Sequence, residues 1–248
     1  MCVFDAWTAP RVAALALLTS LAVGVASAAV VKAGADESTV NKSIEVSENT
    51  AVGDLSSVNG SIELGNGSSV GEVESVNGSI RLGDRVQVKS LETVNGGVRA
   101  GAGTRVAGDI EAVNGALRFG PQSALGGSIE VVNGSIELGG GSVGGSVESV
   151  NGKITASDVQ FAAGIETVWG GIDLTRSAVR GDIVLHKPAS NNWWGAKNKP
   201  PVLVIGPGSS VNGRIVLEHE AVLYVHESAR VGTIEGGKAV RYSGALPN

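Results

Sequence analysis

Cysteine occurs once, at Cys2, and methionine once, at Met1. A lone thiol excludes an internal disulfide and any cysteine cluster for metal or redox chemistry. Aromatic residues are 4% of the chain and charged residues 17%, the latter well below the quarter usual in soluble domains. A net charge of −5 gives no electrostatic reason to expect nucleic acid as a partner. Catalytic signatures are missing as well. The three histidines, His186, His219 and His226, show no HExxH spacing. No catalytic residue, cofactor or enzymatic activity is therefore expected.

Glycine is abundant at 37 residues, and Val, Ile and Leu are plentiful. This composition reads as many short strands joined by glycine turns. The N-terminus stands apart. An apolar run, Val12–Val25, follows Arg11, and "ASA" at Ala26–Ala28 offers small residues for signal peptidase. Residues 1–28 read as a cleaved secretory signal, which places the protein in the periplasm or at the cell surface of a bacterium. The alternative is an uncleaved anchor, because Arg11 and Lys32 bracket 20 uncharged residues, enough to span a bilayer. Thr, Ser and Gly dilute the run and favour cleavage. After the cut no membrane span and no cysteine remain.

The rest of the chain repeats one phrase. "SSVNGSIELG" begins at Ser56, "ESVNGSIRLG" at Glu74 and "EVVNGSIELG" at Glu130. The VN pair recurs at Val40, Val58, Val76, Val94, Val113, Val132 and Val150, and "VWG" continues it at Val168, in steps of 18 or 19 residues. A fixed period of this size signals a solenoid. Within each unit Ile62 and Leu64 alternate with Ser61 and Glu63, as in a strand. No unit has room for a helix. Three short strands and three turns per unit predict an all-β, single-domain, three-sided parallel β-helix of roughly ten coils, stacked about 4.8 Å apart. The six-residue rhythm Val52, Val58, Leu64, Val70, Val76, Leu82, Val88, Val94 suggests continuous interior columns. Asn-Gly is expected to turn through positive φ. The repeated corner predicts an amide ladder of Asn41, Asn59, Asn77, Asn95, Asn114, Asn133 and Asn151. The expected organisation is a lead at 29–39, a solenoid at 40–237 with an insertion at 186–201, and a tail at 238–248.

Three C-terminal stretches, "VRGDIVL" (Val179–Leu185), "IGPGSSVNGRIVL" (Ile205–Leu217) and "SARVGTIEG" (Ser228–Gly236), resemble the bactofilins, bacterial polymer-forming β-helix proteins. The resemblance implies a right-handed β-helix that assembles end to end without nucleotide. Bactofilins are cytoplasmic, whereas the N-terminus of this chain reads as an export signal.

Three surfaces are candidates for function. Glu74, Glu92, Glu111, Glu130, Glu148 and Glu166 each stand two residues before the repeated valine, with Asp54, Glu72 and Asp109 nearby. This acidic column reads either as a strip for Ca²⁺ or a polycation, or as a solvated face that keeps the solenoid soluble. A second outward row, Glu63, Arg81, Arg99, Arg118, Glu137, Thr155 and Asp173, reads as a charge-offsetting ladder. Trp169 replaces the ladder asparagine, and Trp193 and Trp194 lie in the insertion beside Lys187, Lys197 and Lys199. These rings either contact a glycan or protein partner or cover the solenoid flank. Near the C-terminus, Val222, Leu223, Tyr224 and Val225 are expected to mediate end-to-end self-association. The leading reading is a non-enzymatic, exported structural or assembly element of the cell envelope. A glycan- or protein-binding module using the insertion is the alternative, and a polysaccharide-acting enzyme a weaker one.

Overall fold

The computed structural model describes residues 29–188, 200–245 and 247. It is an all-β parallel solenoid of about 11 turns, as the period predicts. One turn shows the plan. Ile62–Leu64 forms the first face. Gly67, at φ 68°, turns the corner into Ser69–Asn77, whose first residues lie on the second face and whose last lie on the third. The next turn begins at Ile80. Each strand pairs in parallel with its counterparts one turn before and one turn after, so the sheets run along the stack and do not close into a barrel. On the first face twelve strands follow one another from Ala29–Val30 to Ala239–Tyr242.

The interior follows the pleat. On the first face Ile44, Ile62, Ile80 and Val98 lie in register, and all are buried. The third face buries Leu55, Val73, Leu91, Ile110, Ile129 and Val147 in the same manner. These columns merge into one hydrophobic core from Val31 to Ala229. The six-residue rhythm is corrected in part. Val52, Leu64, Val70, Leu82 and Val88 are interior, but Val58, Val76 and Val94 lie half-exposed on the outer face. A strand alternates with period two, so once Val73 points inward the next inward residue is Ser75, not Val76. The small residues Ser57, Ser75, Thr93 and Ser149 fill that inward position beside the tight corner. The Ser75 and Thr93 hydroxyls donate to the Gly78 and Gly96 carbonyls, at 3.2 and 3.3 Å.

The asparagine ladder forms along its whole expected length. Each Nδ2 donates to Oδ1 of the preceding turn, from Asn59 to Asn41 up to Asn151 to Asn133, at 3.0–3.1 Å. Its backbone differs from expectation. Left-handed residues occupy the opposite corner, between first and second faces, at Asn49, Gly67, Arg85, Gly103, Gln122, Asp158, Arg176 and Gly208. At the Asn-Gly corner only Gly152 has positive φ. Glycine is needed there for close approach: a Cβ on Gly115 would strike the Gly96 carbonyl oxygen one turn below, and one on Gly134 the Gly115 oxygen.

The stack also begins earlier and ends later than the phrase suggests. Ala29–Val30 pairs with Ile44–Val46, Glu37–Thr39 with Leu55–Asn59, and Ala239–Tyr242 with Val222–His226. The residues expected as lead and tail therefore contribute strands. They escaped the pattern because they carry no VNG corner and few aliphatics. Across the insertion the ladder resumes in register, with Leu203 paired to Ile172. The signal or anchor at 1–28 lies outside the described residues. Among those described, no helix is long and apolar enough to cross a membrane.

Candidate functional site

The acidic column is a true ladder. Glu74 pairs in register with Glu92, Glu92 with Glu111, Glu111 with Glu130, Glu130 with Glu148, and Glu148 with Glu166, all on the outer side of the third face. At a spacing near 4.8 Å, two adjacent carboxylates repel by about 1 kcal/mol even in bulk water. The ladder is nevertheless not uniform. Glu148 accepts a hydrogen bond from Ser146 at 2.8 Å, and Glu166 holds His186 at 2.7 Å. Desolvation by burial, then the charges of Glu72 and Asp54, push the Glu74 carboxyl above its ordinary range. Desolvation, then Glu74, does the same to Glu92, whose Oε1 is buried with no hydrogen-bond partner.

The neighbouring carboxylates have other work. Asp54 Oδ1 accepts the Glu72 amide at 2.8 Å, Asp109 Oδ1 accepts the Ser128 amide at 2.8 Å, and Glu72 pairs with Lys89 at 2.7 Å. Asp54 and Asp109 thus cap the corner of the following turn and do not extend the strip. Glu72, Glu74, Glu92, Asp109 and Glu111, with Lys89, line a pocket of about 280 Å³. Among the described residues no group of three or more His, Cys, Asp or Glu side chains is arranged to hold a metal ion.

A stability test follows from the raised carboxyls. A carboxyl whose pKa is higher in the folded state adds stability that is complete below the ordinary carboxylate pKa and is lost as pH rises through the folded value. Glu92→Gln removes that loss. At pH 7 the variant should melt about 2 °C above the wild type, and the gap should close as the pH is lowered toward 4. Thermal melts across that range check it; a variant no more stable than wild type at pH 7 would show that the ladder carries no net repulsion.

The outward row on the first face offsets charge only in part, because Arg81, Arg99 and Arg118 stack in register on one another. Arg81 pairs with Glu63, Arg118 with Glu137, and Lys153 reaches Asp173, each at 2.8 Å.

The base of the insertion gathers residues that sequence spacing keeps apart. Leu185 and Leu217 are in register, so His186 stacks over Val168 and under Glu218. Its Nε2 lies 2.7 Å from Glu166 Oε2 and its Nδ1 3.5 Å from Glu218 Oε2. Glu218 also accepts the Lys187 amide at 2.9 Å. One position along, His219 Nε2 donates to the Val168 carbonyl at 2.9 Å, and its ring packs against Trp169 with centroids 5.7 Å apart. Trp169 therefore ends the amide ladder, with the His219 ring against it. The arrangement ties together three successive turns at the point where the insertion leaves. Trp193, Trp194, Lys197 and Lys199 lie outside the described residues. His226 is separate: it is buried, bonds Ser228 at 2.8 Å and meets the Tyr242 ring edge-on at 5.1 Å.

The assembly residues lie one turn inside the stack. Leu223 and Val225 are core, and Tyr224 packs edge-on against Tyr242 at 6.3 Å. The last strand among the described residues is Ala239–Tyr242, with Val240 52% exposed. Comparison with known protein families, with curated proteins and with solved structures finds no match.

Proposed function

We propose that this chain is a non-enzymatic, exported β-solenoid that acts as a structural or assembly element of a bacterial cell envelope, joining copies end to end. The observation that carries the reading is the edge of Ala239–Tyr242, which pairs on one side only among the described residues. An open parallel edge is a template for another chain. Val231, Ile234 and Ala239 continue the interior columns there but are only partly buried. Charge supports the same joint. The first described turn carries Lys32 and Lys42 against Asp36, Glu37, Glu45 and Glu48, whereas the last carries Arg230, Lys238 and Arg241 against Glu227 and Glu235. Opposite signs at the two ends favour head-to-tail over head-to-head contact. The likeness of the C-terminal turns to bactofilins points the same way.

Sedimentation velocity with electron microscopy of the purified protein tests this. Dimers or longer rods are expected at low salt and fewer at high salt, because exposed charges are screened. Val240→Lys combined with Arg241→Glu should leave monomers of unchanged fold. A wild type that stays monomeric at high concentration and low salt would overturn the assembly reading.

A further inference from the structure

The second face of the solenoid differs from the other two in charge. Its outward row runs in register through Gln87, Arg105, Ala124, Ser142 and Gln160. Beside it lies a second row, Lys89, Ala107, Gly126, Gly144, Ala162 and Arg180, stacked turn on turn by backbone hydrogen bonds. Together the two rows line a groove of about 750 Å³ that contains no carboxylate. In a chain of net charge −5, this is a segregated surface: the carboxylates stand on the first and third faces and at the corners. Arg105 and Arg180 are exposed, and among the described residues neither pairs with a carboxylate, while Lys89 leans to Glu72 at the rim.

We infer that this groove binds a linear anionic glycan, a polyuronate in chemical class, laid along the solenoid axis. Lys89 to Arg180 spans five turns, on the order of 24 Å at the inter-strand spacing, long enough for several sugar units. The floor is made of Ala, Gly and Ser, so a sugar chain reaches the sheet without a bulky obstacle. Gln87, Ser142 and Gln160 offer both donors and acceptors to hydroxyls, which a polar but uncharged chain segment requires. Arg105 and Arg180 offer planar forks to carboxylates.

Other occupants fit less well. A peptide strand adds to a sheet through free backbone groups at an edge, but on this face those groups already pair with the turns above and below. Nucleic acid needs dense cations and aromatic stacking platforms. Here the cations are sparse, and Phe161 is buried beneath the floor. A lipid surface needs exposed apolar side chains, and among the described residues the large exposed ones, Val40, Val202 and Val240, lie elsewhere. The groove runs along the side of the stack, so this inference does not depend on end-to-end assembly.

Calorimetric titration of the full protein with polygalacturonate tests it, with dextran as the neutral glycan and poly-L-glutamate as the anionic polypeptide. Polygalacturonate should bind, more weakly as salt rises, and dextran and poly-L-glutamate should not. Arg105→Ala with Arg180→Ala should weaken binding tenfold or more with unchanged circular dichroism. Gln87→Ala with Gln160→Ala should weaken it several-fold with little change in salt dependence, the sign of hydroxyl recognition. Lys187→Ala, at the insertion corner, should leave it unchanged. Absence of polygalacturonate binding, retention of full affinity by the double arginine variant, or equal binding of poly-L-glutamate would each overturn the assignment.

Discussion

Gly115→Ala should lower the melting temperature by about 10 °C, the scale of a 3 kcal/mol loss in an array of this length. The cause is backbone proximity. A Cβ on Gly115 would meet the Gly96 carbonyl oxygen, with the Gly96 carbonyl carbon and the Gly97 amide close behind. Neither belongs to a flexible side chain, so the turns themselves must separate. Separation strains the Gly115 amide bond to the Asn133 carbonyl and the Gly96 amide bond to the Asn114 carbonyl, each 3.0 Å long. It also stretches the amide ladder at Asn114. Gly103→Ala is the discriminating control. Gly103 lies at the opposite corner with φ 69°, and a Cβ there would meet only Arg85 side-chain and Cα atoms at 3.4 Å or more. Its cost is the left-handed conformation alone, about 1 kcal/mol. Asn49, Arg85 and Gln122 already hold that conformation in the same column, so Gly103→Asn should be milder still. Thermal melts of the three variants rank them; equal losses for Gly115→Ala and Gly103→Ala would mean that φ, not approach, fixes the repeated glycine.

That pair of corners marks how far the sequence could be read. The period was plain because every turn must present the same residues at the same angle, and this carries the fold class, the inward Ile and Leu pairs and the amide ladder. The role of the glycine was not plain. "NG" is a turn signal in hairpins, and nothing in one turn shows that its neighbour's carbonyl lies underneath. The inward serines and threonines were hidden for a related reason: a hydroxyl reads as surface until the corner carbonyl that accepts its hydrogen bond is in place, as for Ser75 and Gly78.

The candidate surfaces divide along the same line. The Glu74–Glu166 column and the Glu63–Asp173 row repeat with the period, and both were legible. The His186 corner was not, because the insertion breaks the period just where His186 comes level with Val168 and Glu218 and meets the Glu166 side chain. Aligning Thr167, Leu185 and Leu217 as one column would have revealed it. The groove on the second face escaped for the opposite reason. Its signal is a missing charge spread over many turns, and a missing charge is visible only once the three faces are told apart.

Phe161→Ala should split the unfolding of the solenoid in two. Phe161 is among the largest fully buried side chains, 1% exposed, on the inner side of the second face between Val143 and Val179. Truncating a buried phenylalanine costs about 4 kcal/mol, from lost transfer energy and the cavity left behind. In a compact globular domain that loss lowers the stability of the whole. In a solenoid each turn touches only its neighbours, so stability is a sum of turn and interface contributions and a weakened interface opens locally. The backbone bonds across the site, from the Ala162 amide to the Val143 carbonyl and from the Arg180 amide to the Phe161 carbonyl, survive the substitution but lose the packing that shields them. Calorimetry should show two transitions in place of one. Hydrogen exchange should quicken over residues 143–179 and stay slow at Ile62–Leu64, on the far side of the stack. Phe161→Leu keeps most of the volume and should cost under about 1.5 kcal/mol, with a single transition retained. Uniform loss of protection along the chain in Phe161→Ala would show instead that the turns unfold as one unit, with cooperativity reaching well beyond nearest neighbours.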